Sequence, residues 1–403
     1  MSRSRWAWDR RDRSTCDPSS TVPQDSIVHA LRAMQSDTTT VFLGGDVMTG
    51  RGIDQILRAP ASPELHEEWV RDARDYVRLA EDANGPIPRE VEDGYVWGEL
   101  ADELARVAPS ARVVNLETSL TARGEPWPDK PVCYRMSPSN VGCLRAARID
   151  VCTLANNHVL DYGEVGLADT LDTLARAHIA VAGAGIDGPH AQRPARVPLA
   201  GGGDLVVLAV GCEDAGIPSE WAASAERAGV DLLPDLTSQS IARLCDRVRA
   251  IDRAGDLVVV SIHWGSNWGD DVTLSHVELA HRVIDAGGDV VHGHSSHHPR
   301  AIEVHGGRPI FYGCGDLLND YEGIHGHEAH RPDLALAYFA ELERSSGALV
   351  SLVMQPLRMR KLRLERASRE DAEWLAARLD RVCERFGSRV VLTDDDRLAL
   401  RWS

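Results

Sequence analysis

Residues 290–300, VVHGHSSHHPR, gather four imidazoles, His292, His294, His297 and His298, around Gly293 and directly after an apolar pair. The two valines have the character of a buried strand, and Gly293 would let the chain turn sharply where that strand ends. Carboxyl ends of strands are where α/β proteins collect their chemistry. Imidazole is also the commonest nitrogen ligand for zinc and related metals, so this run reads as a candidate metal site.

Such a site also needs hard oxygen donors, and four further patches follow apolar runs in the same way. They are Asp46 in VFLGGDVMTGR, Asn115 and Glu117 in RVVNLETSL, Asn156, Asn157, His158 and Asp161 in VCTLANNHVLDYG, and His263 with Trp264 in VVVSIHWG. Carboxylates, an amide oxygen and imidazoles form a mixed set suited to Mn, Fe or Zn. A carboxylate between two such cations can bridge them, and the pair can activate water while neutralising charge on the attacked group.

Each patch alone has a plainer explanation. A single Asp or Glu after a strand also caps a helix or makes a turn, and Asn156-Asn157 is equally a turn former. His178, His190 and His305 are assigned no role. Trp264 and Trp268 could line a substrate pocket, with buried packing the competing use of Trp264. Arg51 and Arg300 lie close to the candidate ligands and could grip an anionic substrate, or simply pair with surface carboxylates. Taken together, the five patches argue for one site, because independent turn formers need not all follow buried strands.

The elements that would position these residues alternate along the chain. Strands are expected at 40–44, 111–115, 150–154 and 179–182, with helices at about 63–81, 97–108, 138–147 and 164–177. Hairpins are expected at 194–210 and 301–313, and LVVVSIHW has the unbroken apolar run of a strand buried on both faces. Helices at about 237–253 and 273–286, strands at 335–342 and 348–356, and a closing helix from Ser368 to Phe386 complete the pattern. The expected organisation is a flexible segment over 1–38, one α/β domain over 39–360, and a C-terminal helix and extension over 361–403 packing on that domain.

Composition bounds the function. A net charge of -17 argues against non-specific binding to nucleic acid or anionic membrane. No apolar run approaches the roughly 20 residues that span a bilayer. The basic N-terminus is not followed by the apolar stretch of a secretory signal. The eight cysteines are scattered without C-x-x-C pairs. These features lead to the expectation of a soluble, cytoplasmic protein with reduced cysteines. They leave the oligomeric state open.

The order GDVMTGR, NLET, ANNHVLDYG, IHWG, GHSSHHP and IEVHGGRPIFYGCGD resembles the CapA family, associated with poly-γ-glutamate capsule biosynthesis. That family is distantly related to the calcineurin-like metallophosphoesterases. The resemblance implies an α/β fold of the metallophosphoesterase type, two sheets sandwiched by helices (αββα), with metals at one edge. It implies metal ligation by Asp46, Glu117, Asn157, His263, His294 and His297. His158 would be the general acid or transition-state donor and Asp161 the group that orients it, while Arg51, Asn115, Trp264 and Arg300 would face the substrate. Where the wider superfamily has Asp-x-His this chain has Asp46-Val47-Met48, and the stretched GHSSHHP keeps His292 and His298 as alternatives for the last ligand. Asp316, in GCGDLLND, could face the site or cap a turn. The implied activity is a metal-dependent hydrolase, carrying two divalent ions, that cleaves a phosphoester or a γ-glutamyl-like amide in a small or glutamate-containing anionic substrate. Metal-assisted amide formation, or a non-catalytic accessory role on a degenerate site, are the alternatives.

Overall fold

The computed structural model describes residues 38–403; the expected flexible segment therefore lies almost wholly outside the described residues. The chain lays down part of one sheet, builds a second, and then returns to the first. The first visit gives β1 (Thr38–Val47), β2 (Ala111–Leu116), β3 (Val151–Thr153) and β4 (Ala180–Ala182), all parallel neighbours in that order. The second sheet comprises β5 (Ala195–Pro198), β6 (Asp204–Cys212), β7 (Leu232–Leu233), β8 (Leu257–His263), β9 (Val290–His294), β10 (Ile302–His305) and β11 (Arg308–Phe311). Its order is β7-β6-β8-β9-β11-β10, with β5 antiparallel to β6.

The return adds β12 (Asp316–Leu318), β13 (Leu334–Glu343), β14 (Leu349–Met359), β15 (Leu364–Arg366), β16 (Ser388–Leu392) and β17 (Leu398–Trp402) to the first sheet. That ten-stranded sheet runs β16-β17-β14-β13-β1-β2-β3-β4, with β12 parallel to β1 and β15 beside β14. Strands β16 and β17 are elements that the sequence pattern had not marked.

Nine helices flank the sheets among the described residues: α1 (Arg51–Ile56), α2 (Arg74–Asn84), α3 (Gly98–Val107), α4 (Gly142–Ala146), α5 (Gly163–Arg176), α6 (Gly188–Ala191), α7 (Ser238–Ile251), α8 (Leu274–Asp285) and α9 (Arg369–Cys383). The two-residue period of a strand assigns the faces. Val41 and Leu43 of β1 share a core with Val206 and Val258 of the second sheet, whereas Phe42 joins Leu100, Leu144 and Leu167 of the helices outside. Residues of α7, α8 and α9 pack against the second sheet. The result is the expected αββα sandwich, in which each fully buried Val or Leu contributes roughly 1.5–3 kcal/mol.

Two helices differ from expectation. The one expected at 63–81 begins only at Arg74, because hydrogen bonds from Leu65 N to Arg71 O and Ala73 N to Pro63 O fold the preceding residues into a small hairpin. The one expected at 138–147 divides into a 3-10 turn, Pro138–Asn140, and α4. Gly293 also differs, since it lies inside β9 rather than at a turn. A Cβ there would sit 2.3 Å from the Phe311 carbonyl oxygen and 2.7 Å from the Trp264 indole nitrogen, so close packing demands the glycine. The chain turns instead at Ser295, where φ is 96°.

Candidate metal centre

Strand register brings the site together. In the first sheet Asp46 is the cross-strand partner of Asn115 on one side and Asp316 on the other. Gly45 permits this, because a Cβ there would lie 1.7 Å from the Gly315 carbonyl oxygen. In the second sheet His263 is in register with His294, and Ser261 with His292. The carboxyl ends of β1, β2, β8 and β9 therefore deliver their polar residues to one buried place, as parallel strands in α/β folds do.

Two groups of donor atoms meet there, and they share a carboxylate. Asp46, His263 and His294 each offer a ligand atom within 4.8 Å of the others, and so do Asp46, His297 and Asp316. All of these residues are buried. The Nδ1 atoms of His263 and His294 face each other at 2.8 Å, while His263 Nε2 and Asn157 Oδ1 are buried with no hydrogen-bond partner. Unpartnered donors of this kind are costly in a dry interior unless a ligand engages them.

The electrostatics favour a cation. Burial, and then the Asp316 charge, raise the Asp46 carboxyl to about 7. Keeping that carboxylate ionised without a counter-ion costs on the order of 4 kcal/mol. Burial and the charge of Asp46 hold Glu117 well above the usual carboxylate range. Burial keeps the His263 and His294 imidazoles well below theirs, with His158 adding to the effect at the first and His263 at the second. Burial also opposes charge on His297, but Asp316, 2.8 Å from its Nδ1, raises it. Neutral imidazoles beside carboxylates that need a positive neighbour are what a transition-metal ion binds. The residues fit a divalent metal, and Asp46 belongs to both donor groups.

A layer of hydrogen bonds fixes these donors. Asn115 Nδ2 donates to Asp46 (2.8 Å) and Glu117 (3.1 Å), and its oxygen accepts from Asn156 Nδ2 at 3.0 Å. The Ser295 backbone N–H donates to the second Asp46 oxygen at 3.2 Å. Ser261 Oγ lies 2.7 Å from His294 Nε2 and 3.1 Å from His292 Nδ1. Such contacts set ring orientation and tune ligand basicity.

His158 stands on the far side of Glu117, with Nε2 3.8 Å from Glu117 Oε1. Its Nδ1 is 2.6 Å from Asp161 Oδ2, the carboxylate–imidazole pairing expected from the sequence. Lys130 joins them, its Nζ 2.7 Å from Asp161 Oδ1 and 3.0 Å from His158 Nδ1. Burial lowers the imidazole pKa to about 4, with Asp161 opposing that and Lys130 adding to it.

Of the four expected substrate contacts, Arg51 lines the cleft at the open side of the site with its charge already paired, and the other three are engaged elsewhere. Arg51 donates from Nε to Asp320 (3.2 Å) and from Nη1 to Glu67 (3.0 Å), and its Nη2 also meets Asp320. Two carboxylates already balance it, so it offers no unshared positive charge. Arg300 spends its donors on the backbone oxygens of Gly269 (3.0 Å) and Ser266 (2.7 Å), clamping that loop. Trp264 is fully buried, donates to the Tyr312 carbonyl at 3.0 Å and stacks on its ring. Asn115 holds ligands rather than facing a cleft. The open side of the site is a cleft of about 560 Å³, lined by Arg51, Tyr134, Asn267, Trp268, Tyr321 and the ligand candidate His297. It has room for a small molecule or a short stretch of polymer.

His292 is bound to the Gly44 carbonyl oxygen at 2.9 Å, and His298 lies against Arg378. Neither belongs to a donor group that contains Asp46. Asp316 faces the site. It is the first residue of β12 and not at a strand's carboxyl end, so the strand-end rule does not select it. Lys130 carries no sequence signal, because it lies in an irregular loop and reaches His158 only through tertiary folding.

Among the described residues no helix is long and apolar enough to cross a membrane. The chain is 50% identical over 363 residues to a probable polyglutamine synthesis accessory protein of Mycobacterium tuberculosis, covering 90% of this chain and 96% of that protein. It is 30% identical over 192 residues to the PGA biosynthesis protein CapA of Bacillus subtilis, 48% of each chain. Residues 40–321, which contain every donor of both groups, match the family model described as bacterial capsule synthesis protein PGA_cap, and to that metallophosphoesterase-like family this chain belongs.

Proposed function

We propose that this chain is a metal-dependent hydrolase that cleaves a phosphoester or a γ-glutamyl-type amide in an anionic, glutamate-containing substrate. One observation carries the reading: two donor groups share Asp46. Two divalent ions held there would supply Lewis-acid polarisation and bring water's pKa toward neutrality. Asp46 would bridge, with His263, His294 and Asn157 on one side and His297 and Asp316 on the other. Glu117 stands next to this set, tied to it through Asn115.

The chain's own groups do the rest. Once ionised, Asp46, Glu117, Asp161 and Asp316 outnumber the Lys130 ammonium, so cations would be needed to balance them before an anionic substrate is attracted. Asp161 accepts the Nδ1 proton of His158, which leaves the Nε2 lone pair to take a proton from the attacking water and then pass it to the leaving-group atom. Burial keeps that ring neutral at pH 7, so it enters the reaction as a hydrogen-bond partner rather than as a stored acid.

The relatives' names favour a second reading, in which the chain assists synthesis without hydrolysing anything; metal-assisted amide formation would use the same donors. Protein purified without chelators should be analysed for Mn, Fe and Zn, then assayed with Mn against a generic phosphodiester and a γ-glutamyl anilide. The hydrolase reading expects bound metal, with turnover that falls about 10²–10⁴-fold in His158→Ala while metal content is kept. Full metal occupancy without turnover of either compound would favour the accessory reading. Protein that takes up no metal would overturn both.

A further inference from the structure

A second set of imidazoles and carboxylates lies outside the centre described above, where α8 meets the β10–β11 hairpin. His281 Nε2 is 2.9 Å from Glu303 Oε1, and His305 Nε2 is 3.1 Å from Asp285 Oδ1. The two rings stack at 3.9 Å and 8°, which holds both imidazoles at one spot on the surface. One ligand atom each from His281, Glu303 and His305 lies within 4.8 Å of the other two.

From these contacts we propose a separate transition-metal site, with His281, His305 and Glu303 as ligands and Asp285 as the fourth donor. The class of ion is a borderline divalent cation such as Zn²⁺, which accepts two imidazoles and two carboxylates in a tetrahedral shell.

Three observations support it. First, ligand atoms about 2.1 Å from a zinc ion stand about 3.4 Å apart, and one ligand atom each of His281, Glu303 and His305 already lies within 4.8 Å of the other two. Glu303 and His305 already share one face of β10, being two residues apart in a strand. Second, the carboxylates are not already neutralised. Among the described residues, the ion pairs of Glu303 and Asp285 are with these two imidazoles and with no Lys or Arg. The superficially similar Asp270, His298 and His330 group fails this criterion, since Arg378 Nη2 lies 2.5 Å from Asp270, 3.2 Å from His298 and 2.9 Å from His330. Third, Glu303 is pre-oriented by the Tyr312 hydroxyl, which donates to its other oxygen at 2.6 Å. The imidazoles keep 30% and 29% of their side-chain surface exposed, so an ion reaches them from solvent.

The consequence is a clip. An ion there ties α8 to a hairpin whose β11 pairs directly with β9, the strand that carries His292 and His294. Because it binds the folded chain and not the unfolded one, zinc raises Tm in proportion to the logarithm of its concentration.

The test uses the full chain, stripped of metal, in two backgrounds: unaltered, and Asp46→Asn to disable the first centre. Zn²⁺ binding is followed by equilibrium dialysis with elemental analysis, and Co²⁺ is used as a visible-absorption probe. In both backgrounds, His281→Ala or His305→Ala should remove one ion per chain, abolish a Co²⁺ absorption band and cancel the zinc-dependent rise in Tm. Both side chains are partly exposed, and near-UV circular dichroism checks that each variant is folded. Should one variant fail to fold, the other decides, and Glu303→Gln in the same dialysis is a third check. Equal zinc stoichiometry with and without these imidazoles would overturn the proposal, whatever becomes of the hydrolase reading.

Discussion

His297 and His298 are adjacent in the chain, both buried and drawn from the same histidine-rich run, yet the fold gives them opposite partners. His297 points to Asp316, and that pair meets Asp46; among the described residues neither carboxylate is ion-paired with a Lys or Arg. His298 points to Asp270 and His330, where Arg378 reaches in from α9 and supplies the positive charge itself. Both places collect imidazole and carboxylate. A cation site needs converging donors and also a local excess of negative charge that no side chain has already neutralised. Arg378 decides the second case, and it comes from a helix some eighty residues away in sequence.

The sharpest way to break that comparison is to remove the shared carboxylate. Asp46→Asn should release ions from both donor groups and lower any hydrolysis by more than the roughly 100-fold that outer contacts cost, as elemental analysis and initial rates would report. A protein that kept two ions would refute Asp46 as a bridge. Next in size is the neighbour test itself. His297→Ala should lose at least one ion, whereas His298→Ala should keep the full complement and lose only stability, by about 1–3 kcal/mol in a denaturant titration, because Arg378 is left partly unpaired.

Ser261→Ala sharpens the first half of the comparison. Without its hydroxyl, His294 loses the contact that orients it, and metal affinity should weaken about 10–100-fold in a chelator competition. The smallest effect is that of pH. The metal-free Asp46 carboxyl is raised to about 7, so below that pH a proton must leave before an ion binds. Affinity should fall at least tenfold per pH unit on the acid side of 7, as a chelator competition carried across pH would show.

Much of this was legible in the chain. Apolar runs ending in Asp, Asn or His marked β1, β2, β3, β8 and β9, because parallel strands buried on both faces read as unbroken hydrophobic stretches. Asp46, His263 and His294 do stand at strand ends that converge, whereas Asp316 starts its strand and escapes the rule. The reading worked less well for the arginines and Trp264. Closeness in sequence to a ligand says nothing about which carboxylate or carbonyl a long side chain meets, and Arg51 and Arg300 were already engaged. The 63–73 hairpin and strands β16 and β17 were missed for a related reason. Their pairing partners are chosen by tertiary neighbours, not by a local period.

By itself, then, the sequence determined the residue types and the strand-end positions, since those follow from local hydrophobic periodicity and from the chemistry of each side chain, while the αββα layering was implied by the resemblance of its motifs to the CapA family. The tertiary structure alone decided that Asp46 sits between Asn115 and Asp316, that Lys130 joins His158 and Asp161, and that Arg378 closes one histidine cluster while another stays open. These are outcomes of strand register and of where distant side chains end, and charge balance in a buried site depends on every group the fold brings within a few ångströms.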